Sequence, residues 1–226
     1  MSSGKTGMEE FIGTQCVKLG FSAVSILSLE GGTYHELLLR LKESYLPAVP
    51  HDWPEYMMRT ASRRADPLSL FPWAKSLAIF AFPFSSIPLN ESFIPQTNQD
   101  ELSGLVAGYA GRLDYHVFLS ERINVFSASL KKYLGKSFRH EIFVDTKPLA
   151  EKSLAAFSGL GVVGFNSCLL CKGEGSGTCL GILAVDIELP VTRHADFAAP
   201  CSTCGKCLEK CPTKAITGKS GEFKYK

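Results

Sequence analysis

The chain has 226 residues, with 24 basic against 22 acidic side chains and a formal charge of +2. A balance this even gives no general attraction to nucleic acid, although a local basic patch is compatible with it. Hydrophobic residues at 45% and charged residues at 20% suit a folded chain large enough to bury its own core without disulfide staples.

The first ten residues, Met1 to Glu10, contain no apolar core of signal-peptide length. Residues 9–29 read as a helix and then a strand: Phe11, Ile12, Cys16, Val17 and Leu19 recur at helical spacing, Gly20 stops the helix, and Phe21 to Leu27 suits a strand. A second amphipathic helix is predicted over 34–46, and the prolines at 47, 50 and 54 make a loop after it. A basic segment follows, with Arg59, Arg63 and Arg64, ending at Asp66-Pro67. The run Lys75 to Phe82 reads as a strand buried on both faces. It belongs to the longest apolar stretch, which contains Pro83 and is too short to span a bilayer. Residues 85–103 read as a loop and 113–134 as a helix. Ile142 to Val144 is a short strand ending at Asp145, and Leu149 to Leu160 a helix stopped by Gly159 and Gly161. Residues 162–189 suggest a strand pair around the glycine-rich 173–177, the second strand being Leu180 to Ile187.

Composition shifts near residue 195 to small, polar and Cys-rich, so the chain divides into a body, 1–195, and an appendage, 196–226. The fold expected is α+β, an α/β-like sandwich with a mixed central sheet and flanking helices, carrying a small C-terminal ferredoxin-like iron–sulfur segment. The protein is expected in the cytoplasm, without membrane contact, where eight cysteines favour metal or catalysis over disulfides.

Cys201-x2-Cys204-x2-Cys207-x3-Cys211-Pro212 is the strongest signal in the chain. Its spacing lets the backbone wrap a 4Fe–4S cluster while thiolates converge on the irons, and it matches the bacterial ferredoxin run. Zinc sites also use CxxC pairs but separate them by longer loops. In two-cluster ferredoxins the fourth Cys of such a run serves the other cluster, and residues 212–226 hold no second run. Three explanations stay open: a longer parent protein, a single cluster closed by Cys211, or a ligand supplied by Cys168, Cys171 or Cys179. Cys168 and Cys171, if extended, point to opposite faces and pack as small hydrophobes, and Cys16 lies on an apolar helix stripe.

From Arg59 to Ala215 several motifs occur together and in order. They are Met58-Arg59…Arg64-x-Asp66-Pro67 and Phe71 to Ser76, then Gly108-Tyr109-Ala110…Asp114-Tyr115-His116. After these come Val144-Asp145-Thr146-Lys147-Pro148-Leu149-Ala150-Glu151, Gly159 to Asn166, and the Cys tail. In this arrangement the chain resembles the epoxyqueuosine reductases, cobalamin-dependent iron–sulfur enzymes of tRNA queuosine synthesis. The resemblance implies a cobalamin in the body, reduced through two 4Fe–4S clusters, an electron donor of flavodoxin or ferredoxin type, and tRNA as substrate. It also implies removal of the epoxide oxygen with the aid of an aspartate that gives a proton, matched here by Asp145. Burial at the end of a strand would suit that role, while Asp145 reads equally as the cap of a helix starting near Pro148. Tyr109, Asp114, His116, Asn166 and Ser167 fall where the family contacts its cofactor; Arg59 and Arg64 suit cofactor phosphate or tRNA, or form a solvated helix face.

The chain departs from the pattern in several places. Gly164-Phe165-Asn166-Ser167 stands where relatives carry Gly-Lys-Asn-Thr, a Trp is absent beside Ala110, Arg112 is shifted, and Cys168-x2-Cys171 replaces apolar residues. The second cluster run and the helical-repeat extension that would grip a tRNA are missing from this sequence. Two other functions therefore stay open: a small iron–sulfur electron-transfer protein without cobalamin, and a cobalamin-dependent reductase of a small molecule.

Overall fold

The computed structural model describes residues 3–44, 55–93, 106–192 and 201–218. The proline-rich 47–54 and the expected boundary near 195 lie outside the described residues.

At the centre is a four-stranded sheet, ordered β1 (Ala23–Ser28), β2 (Ser76–Pro83), β6 (Thr178–Val185), β3 (His140–Phe143). All three pairings are antiparallel, so the sheet is not the mixed one expected from sequence. The β2–β6 ladder is the longest, running from Ser76 opposite Val185 to Pro83 opposite Thr178. As the apolar run predicts, all of β2 is buried, because both faces of the sheet are covered. Alternation sends Leu77, Ile79 and Ala81 into one core with Leu27, Phe71, Phe143 and Leu154. Ala78, Phe80 and Phe82 enter a second core with Ile12, Cys16, Ile123 and Phe126.

The second core is roofed by α1 (Ser3–Lys18) and α5 (Tyr115–Leu134). In α5, Leu119, Ile123, Phe126 and Leu130 recur on one face and are fully buried, each contributing about 1.5–3 kcal/mol. Its N-cap is Asp114, whose carboxylate accepts the His116 N–H, and Gly135 ends it in a left-handed turn. The first core is covered by α2 (Gly31–Ser44), α4 (Pro67–Leu70) and α6 (Glu151–Phe157). Asp66 caps α4 by accepting the N–H groups of Leu68 and Ser69, and Tyr34 of α2 donates its hydroxyl to the same carboxylate. The basic segment is α3 (Glu55–Arg64), on which Arg59 is exposed and loosely paired with Glu55.

Gly159, at positive φ, stops α6 as expected, with the Leu160 N–H returning to Ala155. The strand pair is not the one read from sequence. Gly161 opens β4 (Gly161–Val163), which pairs with β5 (Leu169–Cys171) in a separate two-stranded sheet. The glycine-rich 173–177 turns back only as far as one antiparallel bridge, Gly175 with Cys171, and then leads into β6 of the main sheet, so it does not join two paired strands. Only glycine permits the β4–β5 approach, since a Cβ at 161 would lie 2.4 Å from the Leu170 carbonyl oxygen. Among the described residues no helix is long and apolar enough to cross a membrane.

Candidate functional site

Asp145 leaves the end of β3 with φ 52°, in the left-handed region. It is exposed, not buried as the strand-end position suggested, and it does not cap a helix. Helix α6 begins later, at Glu151, with Ala150 in the cap position and no side-chain cap bond. Instead, the Asp145 carboxylate accepts the Tyr115 hydroxyl at 3.2 Å, and its backbone N–H donates to Glu151 Oε1 at 3.0 Å. Burial, followed by the charge of Asp145 and this hydrogen bond, raises the Tyr115 phenol above its usual range, so it stays a donor.

The carboxyl that burial does shift is Glu151, pushed up to about 8. Loss of solvent is the main cause; the Asp145 N–H and the charges of Arg64 and Lys152 oppose it, and the charge of Asp145 adds to it. Three consecutive residues here tie three segments together. Ala150 N–H donates to the Arg64 carbonyl at 2.9 Å, Glu151 accepts from Asp145, and Lys152 Nζ donates to the Ser167 carbonyl at 2.8 Å.

Arg64 closes α3, half-buried, its Nε donating to Thr60 at 3.0 Å. Tyr109 is 48% exposed and meets Tyr115 edge-on at 5.9 Å between ring centroids. Its loop is braced by Arg112, which donates to the Ser85 and Ile87 carbonyls. His116 lies 4.0 Å from the Tyr115 ring, and its Nδ1 is 2.8 Å from Asp114 Oδ1. Hydrogen bonds from the His116 side chain and backbone hold the Asp114 carboxyl below its usual range. Asn166 and Ser167 form the tight β4–β5 turn: Asn166 accepts the Cys168 N–H at 3.2 Å, and Ser167 stands at φ 55°. Ser167 Oγ is buried without a hydrogen-bond partner, an arrangement that suits a polar group arriving from a ligand. Leu113 and Val117 are exposed near the start of α5. The half-exposed Tyr109 ring and the unpartnered Ser167 hydroxyl fit a corrin-type cofactor.

A cavity of about 220 Å³ lies elsewhere, lined by residues that include Glu36, Arg40, Phe157 and Thr192, and contains none of the predicted site residues.

In the tail, Cys201 and Cys204 bound α7 (Cys201–Cys204), Cys207 lies in α8 (Lys206–Lys210), and Cys211 caps α8. All four are free thiols. Hydrogen bonds from the Ile216 amide and the Thr213 hydroxyl hold the Cys211 thiol down to about 7. The donor set suits an iron–sulfur cluster, yet among the described residues no three His, Cys, Asp or Glu side chains are gathered as a metal site. No such group forms among the tail cysteines, nor between them and Cys168, Cys171 and Cys179. Cys171 is buried in the first core beside Thr178, and burial pushes the Cys179 thiol up to about 11.

Tyr115 and Glu151 were both visible inside sequence motifs, but their pairing with Asp145 was not. Arg112, read as a displaced family residue, is a structural brace.

Comparison with known proteins matches residues 64–146 to the family described as Epoxyqueuosine reductase QueG, DUF1730. The epoxyqueuosine reductase of Pseudomonas aeruginosa is 32% identical over 201 residues, covering 89% of this chain and 53% of that protein. That of Cyclobacterium marinum is 33% identical, with 88% of this chain and 60% of the relative covered. The chain thus spans little more than half the length of these curated relatives. The solved epoxyqueuosine reductase of Streptococcus thermophilus superimposes with a TM-score of 0.67 at 22% identity, covering 96% of this chain and 55% of that one. A crystal structure of an epoxyqueuosine reductase with an epoxyqueuosine-modified tRNA stem loop gives 0.68 over the same shares. Those two structures bear on the fold alone, while the family region and the curated relatives show that this chain is similar to epoxyqueuosine reductases over part of their length.

Proposed function

We propose that this chain forms the reducing portion of an epoxyqueuosine reductase-type enzyme, acting in the cytoplasm on a tRNA-borne epoxide. The observation that carries the reading is the presentation of Asp145, its carboxylate exposed beside Tyr115 and its backbone fixed by Glu151. Conversion of an epoxide to an alkene consumes two electrons and two protons and releases water. Asp145 supplies a proton to the departing oxygen, and solvent, which reaches the exposed carboxyl, supplies the other. Tyr115 donates to the Asp145 carboxylate after that transfer, when its charge is greatest.

Cobalamin, when bound, supplies the low-potential reductant at the epoxide. Tyr109 and Tyr115 would offer it an aromatic face, Asp114 and His116 a polar edge, and Asn166 and Ser167 the turn whose hydroxyl lacks a partner. Arg64 suits its phosphate or that of the tRNA. Cys201, Cys204, Cys207 and Cys211 would hold a 4Fe–4S cluster, filled from a flavodoxin- or ferredoxin-type donor, the metal–thiolate bonds themselves drawing the sulfurs together.

The test is metal content and turnover after reconstitution without oxygen. Stoichiometric cobalt with about four irons per chain, and turnover of an epoxyqueuosine stem loop, is the expected result. Iron without cobalt would instead favour an electron carrier. Cobalt and iron without stem-loop turnover would favour a small-molecule substrate.

A further inference from the structure

A non-glycine residue in the left-handed region is held there by its surroundings. For Asp145 the hold is visible: its N–H is taken by Glu151 Oε1, six residues along the chain and at the start of α6. The rest of that helix start is itself anchored, to Arg64 on one side and to Ser167 on the other. Glu151 is the sheltered partner and Asp145 the exposed one, an arrangement suited to a fixed clamp behind a working carboxylate.

We propose that Glu151 is a positioning residue, clamping the Asp145 backbone so that its carboxylate is presented to Tyr115, and that the clamp tightens when Glu151 ionises. The catalytic consequence rests on the reading of Asp145 as proton donor; the clamp itself does not. The groups facing Glu151 are Asp145 from the turn after β3, Arg64 from α3 and Lys152 from its own helix. Tyr115 of α5 reaches the cluster through Asp145. An ionised carboxylate accepts an N–H more strongly than the neutral acid does, and this carboxyl titrates near 8.

Hydrogen exchange at the Asp145 amide tests the clamp without any cofactor, with the β2 amides reporting whether the fold is intact. Glu151→Ala should speed exchange at Asp145 about ten-fold, the worth of one hydrogen bond, while β2 stays protected. Glu151→Gln, whose amide oxygen still accepts, should restore most of that protection. After correction for base catalysis, protection in the unaltered chain should rise as pH passes through about 8, and in Glu151→Gln it should stay flat. Equal protection of Asp145 in the Ala variant and the unaltered chain would overturn the clamp; a flat profile in the unaltered chain would overturn its titration.

In the reconstituted enzyme, Glu151→Ala should lower kcat about ten-fold with KM and cobalt content held, and the Gln variant should recover most of the loss. Full activity of Asp145→Asn together with an exposed amide in Glu151→Ala would remove the proton-donor reading and leave the clamp standing. An inactive Asp145→Asn with an amide still protected in Glu151→Ala would do the reverse.

Discussion

Asp145 combines two properties that rarely coincide: an exposed carboxylate and a backbone held in a conformation few side chains adopt. Asp145→Asn keeps the shape of the turn and removes the acid. Turnover should fall about 100-fold or more, as for loss of a general acid, with cobalt and iron content unchanged. Retained activity would exclude Asp145 from proton transfer. The resemblance brought Asp145 forward, while the sequence pattern gave it the wrong surroundings. Burial was expected because an apolar strand precedes it, yet the chain leaves β3 outward and the burial falls on Glu151. Tyr115, thirty residues earlier, meets Asp145 only because α5 packs across the same sheet, and no local spacing encodes that meeting.

At the scale of elements, α5 depends on Asp114, whose carboxylate serves both the His116 N–H and the His116 ring. Asp114→Ala should cost about 1 kcal/mol in denaturant unfolding, the usual value of an N-cap, and should free the His116 ring. Helix α6 sets a pH dependence through Glu151. Its carboxyl is raised from 4.5 to about 8 on folding, so the unfolded chain loses that proton first. The stabilisation is complete below about pH 4.5 and is lost as pH rises towards 8, with a slope of about 1.4 kcal/mol per pH unit from this group. Glu151→Gln should remove that slope, which unfolding curves at several pH values would measure.

Periodicity made the long elements legible: β2 and the buried face of α5 lie where the apolar pattern places them. Pairing was less legible. The glycines at 173–177 do turn the chain, through a single bridge between Gly175 and Cys171, but the paired strands β4 and β5 are joined at Asn166 and Ser167, where a non-glycine residue takes the left-handed position. The antiparallel order β1-β2-β6-β3 depends on connections between segments far apart in the chain, which alternation within one strand does not report.

For the whole molecule, one sheet serves two cores, and the site lies where elements from both sides meet: Tyr115 from the roof of one, Glu151 from the cover of the other. The signal of the Cys tail lies in the spacing of Cys201, Cys204, Cys207 and Cys211, which the sequence displays directly because thiolate ligation depends on residue type and interval. Cys204→Ala should lose most of the bound iron after reconstitution while leaving thermal unfolding of the body unchanged. Unchanged iron would sink the cluster assignment.

The first turn of α6 also acts as a ruler. Ala150, Glu151 and Lys152 reach three different segments in immediate succession, so each contact depends on the one before it being in phase. One residue inserted among them would turn everything beyond by about 100° and carry Lys152 away from the Ser167 carbonyl. Substitution here can be absorbed contact by contact, but a change of length breaks the set together. The stretch from Asp145 to Lys152 is therefore where insertions and deletions should be least tolerated, whatever residues it contains.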